Sequence, residues 1–219
     1  MQILEQLGLA LGLASLAGLN LYLTVFLTGM LVRFDVLHLA TKYQAIEVLG
    51  HEWVLATAGV LYVIEFVADK VPWLDSAWDS LHTLIRPVGG TLLAMQALGE
   101  MPAHMEVVAA LLAGGAALTT HSAKAGTRLL VNHSPEPVSN ITLSIAEDIT
   151  VAAGTLVMVM KPVLALCLFT IVLIVLWLVI PRLWSLIRRS FASITTKLRL
   201  LFGRTAAHYS MTSPGSSRA

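Results

Sequence analysis

Cysteine is almost missing. Cys167 is the only one in the 219-residue chain and lies in an apolar run, so no internal disulfide and no metal site of paired cysteines can form; packing is its expected role. Charge is scarce too. Only 12% of residues are Asp, Glu, Lys or Arg, against about 25% in a soluble domain, a composition that water solvates poorly. No acidic residue follows Asp148. The signatures of several enzyme classes are lacking: there is no P-loop, no Gly-x-Ser-x-Gly elbow and no His-Glu-x-x-His helix. The N-terminal stretch lacks the basic region and cleavage pattern of a secretory signal, so it is expected to stay as a helix.

Apolar length is what the chain has. Hydrophobic residues make up 57% of it and the mean hydropathy is +0.79. A helical bilayer crossing needs roughly 20 apolar residues. The first apolar stretch, 3–32, is interrupted by Glu5, Gly12, Gly18 and Asn20. It exceeds one straight crossing, and tilt, a kink between Gly18 and Asn20, or a short hairpin would absorb the excess. The second span, 53–68, ends at Asp69-Lys70-Val71-Pro72, where proline stops continuation. Asp75 is placed to cap a third segment, 76–98. Arg86-Pro87-Val88-Gly89-Gly90 interrupts that segment and reads as a broken or re-entrant helix. Segments 105–131, 139–160 and 163–180 follow, with Ser139 and Asn140 as caps of the fifth.

The expected fold is an all-α, polytopic membrane helix bundle of about six segments, some broken or re-entrant. It occupies residues 1–187, and a basic, partly disordered tail occupies 188–219. Seven of the 14 basic residues follow Pro181. After a long apolar helix this basic flank reads as cytoplasmic rather than as nucleic-acid binding. Six crossings would put the N-terminus there too, with the polar turns 69–75 and 132–140. A weak repeat appears at an offset of 95 residues: Leu23-Thr24 meets Leu118-Thr119, Arg33 meets Arg128, and Ala58-Gly59 meets Ala153-Gly154. Three spans in each of the halves 1–100 and 101–187 would make an inverted 3+3 repeat, as in many transporters; chance matching in a Leu/Ala/Gly-rich chain is the competing explanation.

The charges within the apolar segments form stripes. Glu65 and Asp69 are four apart, on one helical face. Asp75, Asp79, His82 and Arg86 follow at spacings of four, three and four, and the proline turn folds the two acidic faces together. A mid-membrane charge costs about 2.5–3.5 kcal/mol on insertion scales, so these residues should face protein or water. Asp75, Asp79 and His82 have the donor types of a Mg²⁺ or similar divalent-cation site, and the carboxylates equally suit a proton relay. The plain alternative is a wet interfacial loop paired with Lys70 and Arg86. His121, Lys124 and Arg128, at i, i+3 and i+7, form a cationic stripe that would bind an anion or neutralise the acids. Ser134 and Glu136 in the turn read as a local helix start. Glu147 and Asp148, early in a hydrophobic helix, are expected to pair with Lys124 or Arg128. Asn20 would bond across helices or line a pathway, and Trp53, Trp73 and Trp78 fit an interfacial belt.

Taken together, the motifs Gly18-Leu-Asn20-Leu-Tyr22, Glu65-Phe-Val-Ala-Asp69-Lys70-Val-Pro72 with Asp75, Asp79, His82 and Arg86-Pro87, Lys124-Ala-Gly-Thr-Arg128, and Asn132-His-Ser134-Pro135-Glu136-Pro137-Val-Ser139-Asn140 resemble an uncharacterised family of bacterial multi-spanning membrane proteins. The resemblance covers about residues 10 to 180. It implies a multi-pass protein of the bacterial inner membrane and brings no established activity.

The residues themselves favour a transporter or channel for a small ion or solute. Glu65, Asp69, Asp75, Asp79, His82, Asn20, Glu147 and Asp148 would bind a cation or relay protons. Lys70, Arg86, His121, Lys124 and Arg128 would act as counter-charges. An intramembrane metal-dependent enzyme acting on a lipid or lipid-linked phosphate is the second reading, and a structural or assembly protein the third. The expected partners are the lipid bilayer, a small ion or solute and further copies of the chain, with no nucleic acid.

Overall fold

A computed structural model describes residues 2–36, 44–132 and 137–212. Among them are seven α-helices: α1 (Gln2–Leu19), α2 (Leu21–Arg33), α3 (Glu52–Ala68), α4 (Pro72–Leu98), α5 (Ala103–Val131), α6 (Pro137–Met160) and α7 (Pro162–Thr212). A short 3-10 helix, Gln44–Gly50, leads into α3. The seventh helix arises because the first apolar stretch is two helices.

Asn20 makes the division. Its backbone is extended, at φ −149° and ψ 100°. Its N–H still donates to the Leu16 carbonyl and closes α1, while its own carbonyl accepts from Thr24 N–H and opens α2. Its side-chain oxygen accepts from Leu23 N–H at 3.0 Å, satisfying one donor that every helix start leaves orphaned. A single residue therefore turns the chain through a corner.

The contacts show that α2 runs back the way α1 came. Along α1, Gly8 sits against Pro162, Gly12 against Met158, and Gly18 against Ala117 and Thr120. Along α2, Phe26 lies against Gly59, and Gly29 against Leu49 and Leu55. Leu21 packs on Gly89, roughly 25 Å along α4 from Pro72 and 14 Å from Leu98 at 1.5 Å per residue. The hairpin enters from the Leu98 end and stops part-way, so of the three ways to absorb the long stretch the protein uses the hairpin.

Lys161 turns a second corner. Its N–H bonds the Val157 carbonyl and its carbonyl accepts from Ala165 N–H. A residue before proline is pushed out of the α region, and Pro162 is pre-set for a first helical position. Beyond this corner α7 folds back, so that Phe169 touches the places where Gly12 and Gly154 would carry a Cβ.

α1 is the centre of the bundle and packs against α4, α5, α6 and α7. Leu9, Leu13, Ala14 and Ala17 are fully buried. Glycine permits the approach. A methyl group on Gly8 would overlap the Pro162 carbonyl, a backbone atom that cannot rotate aside. Gly8→Ala is expected to lower the thermal midpoint of the detergent-purified protein, at a cost of about 1–3 kcal/mol. Gly115→Ala, where nothing stands within 4 Å, should be neutral or stabilising by up to about 1 kcal/mol. Equal midpoints for the two variants would disprove the close packing at Gly8.

Several expectations are corrected here. α4 is not broken at Arg86-Pro87-Val88-Gly89-Gly90: it is one 27-residue helix with Pro87 inside. Pro87 removes one hydrogen bond, and the glycines are where neighbours press closest, Leu21 on Gly89 and Ala117 with Ala14 on Gly90. Asp75 does not cap α4. The N-cap is Val71 without a side-chain bond, because the helix starts at the proline. Ser139 and Asn140 lie inside the first turn of α6, which starts at Pro137. Cys167 is exposed on the outer face of α7 rather than packed. α7 itself runs on through the basic segment as far as Thr212.

The bundle is turned inside out relative to a soluble fold. Leu84, Leu111, Leu112, Ile149 and Ile171 are exposed, while Glu65, Asp75, Arg86 and Arg128 are buried. Ala103–Val131, Val138–Met160 and Pro162–Leu186 are each long and apolar enough to cross a membrane. These three helices mark a multi-pass membrane protein. The turn 69–71, the end of α5 and the start of α6 lie at one end of the bundle, with the distal part of α7. The start of α1, the start of α3 and the Gly99–Pro102 turn lie at the other. The start of α1 and the distal part of α7 therefore lie at opposite ends, not the same end, because the α1–α2 hairpin contributes no net crossing.

Candidate functional site

The three stripes converge at the hairpin tip, towards the turn end of the bundle. α3 contributes Glu65 and its C-cap Asp69; α4 contributes Asp75, Asp79, His82 and Arg86. His121, Lys124 and Arg128 come from α5, and Asn140, Ser144 and Glu147 from α6. All are buried. Asp148 is half-buried beside them. Helical spacing put each set on one face, and the bundle turned every one of those faces inward.

Arg128 is the hub. Its Nε donates to Glu147 Oε1 at 3.2 Å. Nη1 donates to the Asp69 carbonyl at 3.0 Å and to Asn140 Oδ1 at 2.9 Å. Nη2 donates to Asp69 Oδ2 at 3.0 Å and to Glu147 Oε2. A guanidinium has five N–H donors, and all five are engaged. Lys124 Nζ sits between three carboxylates: Asp69 at 3.3 Å, Glu65 at 3.4 Å and Glu147 at 3.5 Å. Glu147 thus pairs with both residues expected of it. Asp148 does not. It accepts from Asn20 Nδ2 at 3.1 Å and from Tyr62 hydroxyl at 3.0 Å, which anchors the hairpin tip to α3 and α6.

Arg86 holds the other side of the tip. Nη2 donates to Glu65 Oε1 at 2.7 Å, while Nη1 donates to the Gly18 carbonyl at 3.2 Å. That carbonyl belongs to the last turn of α1, where the helix leaves acceptors free and the dipole favours a cation.

The two histidines have their tautomers fixed by their partners. Arg86 can only donate, so His121 Nδ1 accepts from it at 2.9 Å. His121 Nε2 then carries the proton and donates to Thr83 Oγ1 at 3.1 Å, whose hydroxyl donates to the Asp79 carbonyl at 3.0 Å. A carbonyl can only accept, so His82 Nδ1 donates to the Trp78 carbonyl at 2.8 Å, and Nε2 shares a hydrogen bond with the Tyr22 hydroxyl at 3.0 Å. His121 is neutral in this arrangement. His82 has no nitrogen left for a metal. Among the described residues no group of three His, Cys, Asp or Glu is disposed to hold a metal ion, Asp75, Asp79 and His82 included.

Other expected roles also change. Lys70 leaves the cluster: it donates to the Phe66 carbonyl at 2.8 Å and lies over the Phe66 ring at 3.0 Å. Trp78 is no simple belt residue, because it stacks on His82 with centroids 4.6 Å apart. Trp53 and Trp73 are exposed, as a belt requires. Ser134 and Glu136 lie outside the described residues. Ser139 is half-buried near the start of α6. Tyr62 and Thr83, outside the motifs, take part, as do two motif residues given no site role, Tyr22 and Asn132, which donates to Asp75 Oδ2 at 2.7 Å. Tyr62 was findable, since it continues the Glu65–Asp69 stripe one turn back at i−3.

Asp79 differs from the other carboxylates. It is 4% exposed, yet neither carboxylate oxygen accepts a hydrogen bond from a described residue. Its nearest cation is Arg86 Nη2, at 3.5 Å. It borders a cavity of about 150 Å³ between α4 and α5, with Ser76, Ser80, Thr83, Ala125 and Arg128 around it. A larger cavity of about 540 Å³ lies among α2, α3 and α4, with mostly apolar walls such as Val25, Val54, Leu61 and Leu92. Tyr22 borders it and links it to His82.

The sequence pattern of DUF4126, a domain of unknown function, matches residues 7–182, four-fifths of the chain. The chain belongs to that family. The match takes in every charged residue of the cluster and both helix corners, and stops at the start of the basic segment. No curated protein matches the chain. No solved structure matches it either.

Proposed function

We propose that the protein is a transporter or channel for a small cation, in which buried carboxylates bind the ion or pass protons. The observation that carries this reading is charge imbalance. Among the described residues, Glu65, Asp69, Asp75, Asp79, Glu147 and Asp148 gather around three buried cations, Arg86, Lys124 and Arg128, with Lys70 at the edge beside Asp148 and Asp69. With both histidines neutral, the formal sum is −3 for the buried set and −2 with Lys70 counted. An uncompensated buried charge costs several kcal/mol, so protons or cations must supply the balance. A path for either through the bundle is what transport needs.

The α1–α2 hairpin supports the same reading. Half-length helices that end beside charged groups are how many transporters build an ion site part-way across the bilayer. Here the α1 end offers a carbonyl to Arg86 and the α2 start offers Asn20 to Asp148. We place the distal, basic end of α7 and both charged turns in the cytoplasm of a bacterial inner membrane, by the positive-inside rule.

The test is flux in proteoliposomes. Wild-type protein should carry protons or a monovalent cation, and Asp69→Asn and Asp79→Asn should each reduce it. Unchanged flux of every cation and of protons in both variants would end the proposal.

Saturation of all five Arg128 donors favours a second reading, an interlocked scaffold whose ion pairs serve only assembly. Its mark would be co-purification with a larger complex and no ion movement. Lipid-phosphate chemistry draws less support, since Arg128 has no N–H left for a phosphate and the acidic stripe makes no metal site.

A further inference from the structure

We infer that Asp79 and the hydroxyls around the α4–α5 cavity form a binding site for one dehydrated or partly hydrated sodium ion, which makes sodium the cation of the transport reading above, on which this inference rests.

The argument starts from donors and acceptors. Ser80 Oγ donates its proton to the Ser76 carbonyl at 2.8 Å, and Thr83 Oγ1 donates to the Asp79 carbonyl at 3.0 Å. Ser76 Oγ accepts from Asn132 Nδ2 at 3.1 Å. With their protons aimed at the helix backbone, the Ser80 and Thr83 oxygens can offer the cavity lone pairs only. Asp79 adds two carboxylate oxygens that accept no hydrogen bond from a described residue although the side chain is buried. Arg128 borders the cavity, but all five of its donors are committed elsewhere. The cavity therefore presents oxygen acceptors and a carboxylate whose one cation, Arg86, stands 3.5 Å away without a hydrogen bond, and its lining offers no free N–H that would suit an anion.

Size and charge narrow the guest. About 150 Å³ holds a small ion with a few waters, since one water occupies about 30 Å³ in the liquid. One carboxylate beside neutral oxygens matches a single positive charge; a divalent ion would draw further carboxylates, and Asp75 is instead held by Asn132 at 2.7 Å and by Arg128 at 3.5 Å. Ser80 and Thr83 are exposed at the rim, which gives the ion a way in near the turn end of the bundle.

The experiment is equilibrium binding of radioactive sodium to the full-length protein in detergent, with choline replacing sodium at constant ionic strength. Wild type should bind saturably, at one ion per chain. Asp79→Asn should weaken binding by about tenfold or more and Ser80→Ala by about threefold. Thermal unfolding in choline checks that each variant is folded. Absence of saturable binding in wild type overturns the site, and so does wild-type affinity in folded Asp79→Asn. If Asp79→Asn does not fold, Ser80→Ala decides, and an unchanged affinity there overturns the site. Sodium binding without flux would leave the site standing and reject transport; proton flux without sodium binding would do the reverse.

Discussion

Replacing Arg128 with Met is expected to leave little folded protein. The guanidinium is 1% exposed and makes five hydrogen bonds, to both Glu147 oxygens, Asn140, and the carboxylate and carbonyl of Asp69. Methionine fills much of the volume and removes every donor. Asp69 would keep only Lys124 at 3.3 Å and Glu147 only Lys124 at 3.5 Å, so one ammonium would face two carboxylates it now shares with Arg128. Breaking a buried pair from one side costs about 3–5 kcal/mol, and Arg128 belongs to more than one pair. A bundle stabilised by roughly 5–15 kcal/mol has little to spare. The measurement is the monodisperse fraction and thermal midpoint after detergent extraction. Adding Glu147→Gln to Arg128→Met should recover part of the loss, because it removes one of the stranded charges; coupling of about 1–3 kcal/mol is expected for neighbours of this kind. A double variant no better than the single one would show that the cluster is not held by these ion pairs.

The sequence carries more of this cluster than of its scaffold. Helical spacing puts Asp75, Asp79, His82 and Arg86 on one face, and likewise His121, Lys124 and Arg128, and the cost of charge in a bilayer turns both faces inward. That reasoning needs only local geometry and one energy. Pairing needs more. Lys70 is next to Asp69 in sequence, yet it lies in the turn beyond the end of α3, and its ammonium reaches back to the Phe66 carbonyl and ring instead. The metal reading meets a similar obstacle. Donor type and spacing placed His82 beside Asp75 and Asp79, but whether a ring nitrogen is free depends on Trp78 and Tyr22, one of which is on another helix.

The helix breaks were the hardest part to read. Arg86-Pro87-Val88-Gly89-Gly90 holds a proline and two glycines, the strongest breakers, and remains helical; the corner falls at Asn20, one of the alternatives the first apolar stretch leaves open. A proline inside a helix costs one hydrogen bond and some bending, which packing on both sides of α4 absorbs. Asn20 turns the chain because each of its polar groups has a partner in the corner: backbone N–H to Leu16, carbonyl to Thr24, side-chain oxygen to Leu23 and side-chain nitrogen to Asp148. Only the first three partners are local in sequence. Asn20→Ala is accordingly expected to cost about 2–4 kcal/mol, the sum of a lost cap and a weakened buried carboxylate contact, visible as a lower thermal midpoint. A change below about 0.5 kcal/mol, the size typical of surface substitutions, would mean the corner holds without Asn20.

Asp79→Asn is expected to separate function from folding more sharply than any other single change in the cluster. The Asp79 oxygens accept no hydrogen bond from a described residue, and the Arg86 contact is 3.5 Å long, so exchanging carboxylate for amide removes a charge without breaking a short bond. Stability should stay within about 1 kcal/mol of wild type. Asp69→Asn is the contrast. Asp69 accepts from Arg128 at 3.0 Å and from Lys124 at 3.3 Å, and its neutralisation should cost about 3 kcal/mol or more of folding stability. If the cation pauses at Asp79, losing that charge should lower flux by about two orders of magnitude, equivalent to roughly 2.7 kcal/mol of lost stabilisation along the path. The pair of measurements is flux per folded protein and thermal midpoint, for both variants. A structural cluster predicts that activity and stability fall together in Asp69→Asn and that Asp79→Asn changes neither. A transport path predicts the separation: full stability and little flux in Asp79→Asn. On the transport reading, the carboxylate that accepts no hydrogen bond from a described residue is the one that binds the passing ion.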